Sequence, residues 1–310
     1  MRPVNNNTLS FPDVFTAYLA PRGFEAELLR ELGDSVLAVR DRLVLASGPP
    51  RDVAWAQNVW LDPRWIPIES IGDAAHKLKG LQRKWALYST GLHRRATLIQ
   101  DKLPKVSARR QVFGEPPPSA PLGSWTLWEE NLLLASPACA SPWNHGEAEF
   151  EENKTEPPGR AYLKLWELFT RLGIKPAPGD LCLDLGASPG GWSWVLAGLG
   201  ARVFAVDKAD LAANVAAMPN VEHCRGSAFG LDPRMVGAAD WLFSDVICYP
   251  DRLLAMVERW LELGECKRFV CTVKLQSETD FAVLERFRAI PGSRLLHLHH
   301  NKHELTWLRL

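Results

Sequence analysis

Four ionisable residues stand in otherwise apolar stretches of this 310-residue chain: Lys164 in RAYLKLWEL, Asp245 in WLFSDV, Lys274 in FVCTVKL and Glu304 in HNKHELTW. A lysine that ends a buried strand is costly unless it is paired. Two lysines with two carboxylates can supply that pairing, and they can also move a proton. Lysine acts as a base only if its pKa falls; partial burial of Lys274 and a second ammonium, Lys164, would both lower it, while Asp245 and Glu304 orient the amines. The competing reading is two structural Lys–carboxylate pairs at strand ends. His303 also competes with Glu304 for the fourth place, because a slip of one residue exchanges the faces of a strand.

A second constellation lies in LCLDLGASPGGWSWVLAGLGARVFAVD, Leu181 to Asp207. Leu181–Gly186 reads as a strand buried on both faces of a parallel sheet. Gly186, Gly190 and Gly191 let the backbone turn tightly and approach a ligand. The next strand ends in Asp207, 21 residues after Gly186, where a carboxylate can accept from both hydroxyls of a ribose. A nucleoside cofactor is expected. The loop G-A-S-P-G-G lacks the GxGxxG spacing that cradles a pyrophosphate, so it favours S-adenosylmethionine over NAD. Backbone groups of such a loop can hold the charged ends of a methionine moiety, with Asp184 close by. A bare turn with incidental glycines and an NAD-dependent oxidoreductase are the competing readings. Methylating a ribose 2′-hydroxyl removes a poorly acidic proton as the oxygen attacks, and a placed base contributes about 10²- to 10⁴-fold.

The elements that must position these groups follow from the apolar pattern. A helix over Arg160–Leu172 precedes strands at Leu181–Gly186, Arg202–Asp207, Val221–Cys224, Trp241–Val246, Phe269–Leu275, Leu295–His300 and Leu305–Leu310, with helices at Gly191–Leu199, Asp251–Leu263 and Glu278–Ala289. Such alternation predicts a doubly wound parallel sheet. Asp245 and Lys274 then fall at the carboxyl ends of adjacent strands, where open α/β sheets bind ligands. The last two strands, joined by the short turn His300–His303, should pair antiparallel, the plan of class I methyltransferases. Upstream, a strand (Val14–Leu19), a helix (Phe24–Leu32), strand material (Val36–Ala46) and a helix (Arg51–Trp60) suggest a small α+β unit. Eight prolines fall between Gln111 and Arg160, with a possible hairpin at Ser124–Ser136. The expected division is 1–110, a Pro-rich and acidic connecting segment 111–156, and 157–310.

The 36 basic and 36 acidic residues cancel, which argues against a coat of positive charge. Locally, His76 to Arg110 holds ten Lys or Arg against one acid, with Trp85 and Tyr88 among them. Phosphate-binding charge beside stacking aromatics suits RNA; a solvated helical face is the alternative. Six cysteines without a CxxC pair read as reduced core residues. No apolar run approaches the roughly 18 residues of a membrane span, and MRPVNNNTLS lacks a signal-peptide core, so a cytoplasmic location is expected. Of His297, His299, His300 and His303 only the first two share a strand face, so no metal is expected; His300 and His303 are candidates for an RNA entrance.

In their order, and with DLGASPGGW between the first two, Lys164, Asp245, Lys274 and Glu304 resemble the Lys-Asp-Lys-Glu tetrad of the FtsJ-type ribose 2′-O-methyltransferases. RAYLKLWE is similar to that family's SRAYKL-type helix, DLGASPGGW to its DLGAAPGGW-type loop and SDV to its catalytic aspartate strand, a likeness covering roughly Arg160 to Leu310. Within the family the chain looks most like the large-subunit (23S) rRNA cytidine 2′-O-methyltransferases, whose THUMP-like N-terminal region carries an RPGFE turn similar to Pro21–Glu25 here. The resemblance implies a class I, Rossmann-like α/β domain dependent on S-adenosylmethionine, behind a smaller THUMP-like α+β RNA-binding region. It implies Lys274 as proton acceptor, and cofactor contacts from Asp184, Gly186, Ser188, Pro189, Gly190, Gly191, Trp192, Asp207 and Asp245. Structured RNA, 23S rRNA or its precursor, is the implied partner. One departure stands out: where the family has an acid after the third strand for the adenine amino group, this chain has Ser227, which can hydrogen-bond but brings no charge. That departure motivates an alternative, a noncatalytic cofactor-binding protein of RNA or ribosome assembly.

Overall fold

A computed structural model of the protein describes residues 12–106 and 109–310. The reading of Met1–Ser10 as lacking a signal peptide lies outside the described residues. Two compact units divide the chain: one takes its described residues from the segment up to Ala108 and from Pro118–Glu147, the other from Arg109–Pro117 and Ala148–Leu310.

The first unit runs β1 (Phe15–Leu19), α1 (Glu25–Leu32), β2 (Val36–Arg40), β3 (Leu43–Ser47), β4 (Asn58–Trp60), β5 (Arg64–Pro67), α2 (Ile71–Leu81), β6 (Trp85–Leu87), α3 (His93–Gln100), β7 (Gly123–Glu129) and β8 (Leu132–Ser136). It holds two four-stranded sheets, β2-β3-β1-β4 and β5-β8-β7-β6. The strand material at Val36–Ala46 forms a hairpin, β2 and β3, because Asp41 turns the chain at φ 54°, a conformation that aspartate tolerates. Other expectations are corrected here. Arg51–Trp60 is a loop leading into β4 instead of a helix. Its amides are satisfied elsewhere: Glu31 accepts from Ala54 N at 2.8 Å and Trp55 N at 2.9 Å, and Tyr18 Oη accepts from Arg51 N at 2.9 Å. Trp85 and Tyr88 are core side chains, not exposed stacking surfaces; Trp85 is fully buried among Leu78, Ile99 and Trp125 and donates its indole N–H to Leu78 O. Residues 118–147, expected within a connecting segment, belong to this unit because the β7–β8 hairpin pairs on one side with β5 and on the other with β6.

The second unit contains α4 (Tyr162–Leu172), β9 (Leu181–Leu185), α5 (Gly191–Gly198), β10 (Arg202–Asp207), α6 (Ala213–Ala216), β11 (Val221–Arg225), α7 (Pro233–Val236), β12 (Ala238–Ser244), α8 (Pro250–Leu263), β13 (Glu265–Lys274), α9 (Phe281–Ala289), β14 (Ser293–Leu296) and β15 (Glu304–Arg309). Its seven-stranded sheet has the order β11-β10-β9-β12-β13-β15-β14. Strands β9 to β13 pair in parallel where they are neighbours, and β15 runs antiparallel to both β13 and β14. This is the class I methyltransferase plan. Apolar runs build its centre, with Leu183, Val203, Leu242, Phe243, Val270 and Trp307 all buried. The strand expected over Leu295–His300 stops at Leu296, because the amides of His299 and His300 turn away to a carboxylate, Glu167, on α4. Among the described residues no helix is long and apolar enough to cross a membrane.

Candidate active site at the carboxyl ends of the sheet

Helix α4 is buried from Tyr162 to Thr170, yet it carries Lys164. That ammonium lies 3.1 Å from Asp245 Oδ1, 3.2 Å from Asp245 Oδ2 and 2.6 Å from Glu304 Oε1. Asp245 follows the last residue of β12, and Lys274 ends the adjacent β13. Lys274 Nζ lies 3.1 Å from Asp245 Oδ1 and donates to Asp245 O at 2.7 Å. The antiparallel register sets Lys274 opposite Glu304, so strand pairing brings the fourth residue to the others. Burial alone would lower the Lys164 pKa, but the facing Asp245 and Glu304 outweigh it and the net direction is up. Lys164 is thus a fixed positive charge. All four expected residues converge, and Glu304, not His303, faces Lys164; His303 Nε2 instead pairs with Thr279 Oγ1 at 2.9 Å.

The glycine loop forms a separate wall. A cleft of about 360 Å³ is lined by Asp184, Gly186, Ser188, Pro189, Gly191, Trp192, Asp207, Asp245 and Lys274, among others. Gly186 has φ +85°, and a Cβ there would come within 2.6 Å of Val246 Cβ, so the loop needs glycine. Asp207, at the end of β10, accepts from Ser188 N at 3.0 Å and Ala209 N at 2.9 Å, which leaves acceptor capacity on both oxygens. Asp184 is the most unusual group. Burial pushes its carboxyl up to about 7 against the Ser193 hydroxyl, which donates to Oδ2 at 2.6 Å and pulls the other way. Its Oδ1 is buried without a partner, a vacancy that a cation donor would satisfy. Trp192 touches the cleft but ties the loop to α4, its indole N–H donating to Ala161 O at 3.0 Å. Gly190 and Ser227 are not on the cleft wall. Gly190 lies under Val215 at φ +111°, and Ser227 O accepts from Gly230 N at 2.9 Å.

Residues 158–286 match the FtsJ-like methyltransferase family. Over 277 residues the chain is 30% identical to the ribosomal RNA large subunit methyltransferase M of Laribacter hongkongensis, an alignment covering 86% of this chain and 72% of that one. The chain belongs to this family. It is also 32% identical over 240 residues to the protein of that name from Aromatoleum aromaticum, covering 71% of this chain and 64% of the relative. With that of Halorhodospira halophila it shares 36% identity over 158 residues, covering 48% and 46%. Against these last two the chain spans about half to two thirds of the relative's length.

A second cavity, about 750 Å³, is lined by Lys164, Lys274 and Glu304, by Arg110, Arg160, His299, His300 and Lys302, and by Glu149 and Glu152, which pair with Arg110 at 3.6 Å and Arg160 at 2.7 Å. It shares Lys274 and Ala161 with the first cleft, so Lys274 stands where the two meet. The sequence reading anticipated His300 here, counted Arg110 in its basic segment and matched Arg160 within RAYLKLWE without assigning either to this cavity, and missed Lys302. Burial lowers His300 to about 4, and its Nε2 pairs with Ala148 O at 3.0 Å; it is a neutral wall residue. Of the four histidines, His297 is buried and also lowered to about 4, mainly by that burial, with Nε2 on Lys302 O at 3.1 Å. Glu167 was missed as well. The signal was available: a charged residue among apolar neighbours, three positions after Lys164 and on the same face.

Proposed function

We propose that the chain transfers a methyl group from S-adenosylmethionine to a ribose 2′-hydroxyl of RNA, and that the acceptor is a cytidine of 23S rRNA. The observation that carries this reading is the position of Lys274, on the shared wall of the glycine-loop cleft and the larger cavity. Asp184 Oδ1 suits the ammonium of the cofactor's methionine, Asp207 its ribose hydroxyls, and the amide of Gly191, on the cleft wall, its carboxylate. Bound there, the cofactor supplies an electrophilic methyl group.

The chain's own residues handle the proton. Lys274 Nζ receives it from the 2′-hydroxyl. Asp245 orients Lys274, and Lys164, pinned by Glu304 at 2.6 Å, orients Asp245. Arg110, Arg160 and Lys302 at the cavity meet phosphates, which positions RNA without reading its sequence. Beyond the tetrad, the segment after Asp245 presents Ile247 and Tyr249, 80% and 68% exposed, a surface suited to stacking on an unpaired base. In the first unit the exposed Lys77, Lys79, Arg83, Arg94, Lys102 and Lys105 are assigned to RNA capture, as a THUMP-like region would be. Work on rRNA places the protein in the cytoplasm. Incubation of transcribed 23S rRNA with methyl-labelled cofactor, followed by nuclease digestion, tests the reading: the label should be recovered on a 2′-O-methylated nucleoside.

A further inference from the structure

Glu167 is 1% exposed, and both its oxygens are committed to one turn: Oε1 accepts from His299 N at 2.8 Å and Oε2 from His300 N at 3.1 Å. A carboxylate buried so completely is expensive, and burial pushes Glu167 up to about 7 despite those amides. The fold tolerates it at a place with two neighbours of consequence. One is Lys164, on the same face of α4. The other is the turn itself, which joins β14 to β15, delivers Glu304 to Lys164, and sets His299, His300 and Lys302 into the wall of the 750 Å³ cavity.

Other polar ties of this turn lie at its ends, within it and between His300 and the segment before α4. Asn301 Nδ2 donates to Glu304 O at 3.3 Å and Leu275 N to His303 O at 3.0 Å, while His303 pairs with Thr279 and His300 Nε2 with Ala148 O. Through both its oxygens Glu167 links the middle of the turn to the helix that carries Lys164. We infer that Glu167 is a positioning residue. One rigid helix fixes the tetrad twice, directly through Lys164 and indirectly through the Glu167 clamp, so that Glu304 and the acceptor wall move as one with Lys164. Glutamine cannot reproduce the clamp, because its NH₂ would face a second backbone N–H.

This inference rests on the proposed methyl transfer, and the test separates the two. Glu167→Gln and Glu167→Ala are compared with the unmodified chain by RNA methylation kinetics, cofactor binding calorimetry and amide NMR. In Glu167→Gln, kcat should fall about 10- to 100-fold, as for a misplacement of about 1 Å, with cofactor affinity unchanged. The amides of His299 and His300 should shift while those of Gly186 and Asp207 stay put. Adding Glu304→Gln should cost little more than Glu304→Gln alone, because both break one assembly. Unchanged kcat, a cofactor affinity that falls in step with kcat, or a Glu167→Gln chain that no longer folds would each overturn the inference. If the unmodified chain methylates no RNA, the proposed function fails, and the amide shifts still report whether Glu167 holds the turn.

Discussion

Lys274 and Glu304 face each other across the β13–β15 ladder, yet each pairs with a different partner. Lys274 binds Asp245 at 3.1 Å, and Glu304 binds Lys164 at 2.6 Å. Lys164 closes the chain by binding Asp245 as well. The site is a string, Lys274–Asp245–Lys164–Glu304, with one end, Lys274, where the two cavities meet and the other, Glu304, at the start of β15 on the wall of the larger one.

Lys164 is the shared cation of that string. Replacing it in Lys164→Met leaves Asp245 and Glu304 as neighbouring carboxylates with little solvent, a loss expected to cost about 3–5 kcal/mol of stability. Lys164→Met/Glu304→Leu should recover part of it by removing one uncompensated charge. Denaturant unfolding of the two variants checks the order; a double variant less stable than the single one would contradict it.

If Asp184 holds the cofactor's ammonium as proposed, cofactor binding should depend on pH. Its carboxyl is held up at about 7 by burial, whereas a bound ammonium requires the ionised form. Binding below that pH must therefore expel a proton, so affinity should be full above pH 7 and fall by about tenfold per unit beneath it. Asp184→Asn should bind weakly and with a flat profile. Calorimetry from pH 5.5 to 8.5 reads both, and an unchanged slope in Asp184→Asn would remove Asp184 from the site.

Gly186→Ala tests the loop. The new Cβ would meet Val246 Cβ at 2.6 Å and Cα at 2.8 Å, and alanine is strained at φ +85°. A loss of about 1–3 kcal/mol and weaker cofactor binding are expected. Gly198→Ala, where nothing lies within 4 Å, is the control and should lose neither.

RNA contacts separate by salt. Arg160→Ala and Lys302→Ala should each lower RNA affinity and reduce the slope of log K against log salt by about 1. Tyr249→Ala should weaken binding with the slope unchanged, since stacking releases no counterions. Filter binding at several salt concentrations distinguishes them; a Tyr249→Ala slope matching that of Lys302→Ala would assign Tyr249 to a phosphate instead.

Leu181–Asp207, Asp245 and Lys274 are legible because strand ends announce themselves: an apolar run stops, and a glycine or a charge follows; Lys164 and Glu304 stand out instead as charges within apolar stretches. The terminal antiparallel strand was legible for a similar reason, a turn too short for a crossover. What the sequence concealed depends on partners distant along the chain. The loop at Arg51–Gln57 has helical spacing, but Glu31 takes its amides. Leu295–His300 has strand composition, but Glu167 takes two of its amides. Trp85 and Tyr88 sit in a basic segment, and only packing reveals that they face inward. Ser227 follows the third strand, where the family resemblance implies an adenine contact, but it is not among the residues that line the cleft.

The central claim is that Lys274 accepts the proton of a ribose hydroxyl during methyl transfer. Single-turnover methylation of 23S rRNA with labelled S-adenosylmethionine, comparing the unmodified chain with Lys274→Ala and identifying the labelled nucleoside by mass spectrometry, tests it most directly. The expected result is a 2′-O-methylated cytidine formed about 10²- to 10⁴-fold more slowly by Lys274→Ala, with cofactor affinity preserved. Label on a base, or an equal rate in Lys274→Ala, would contradict it.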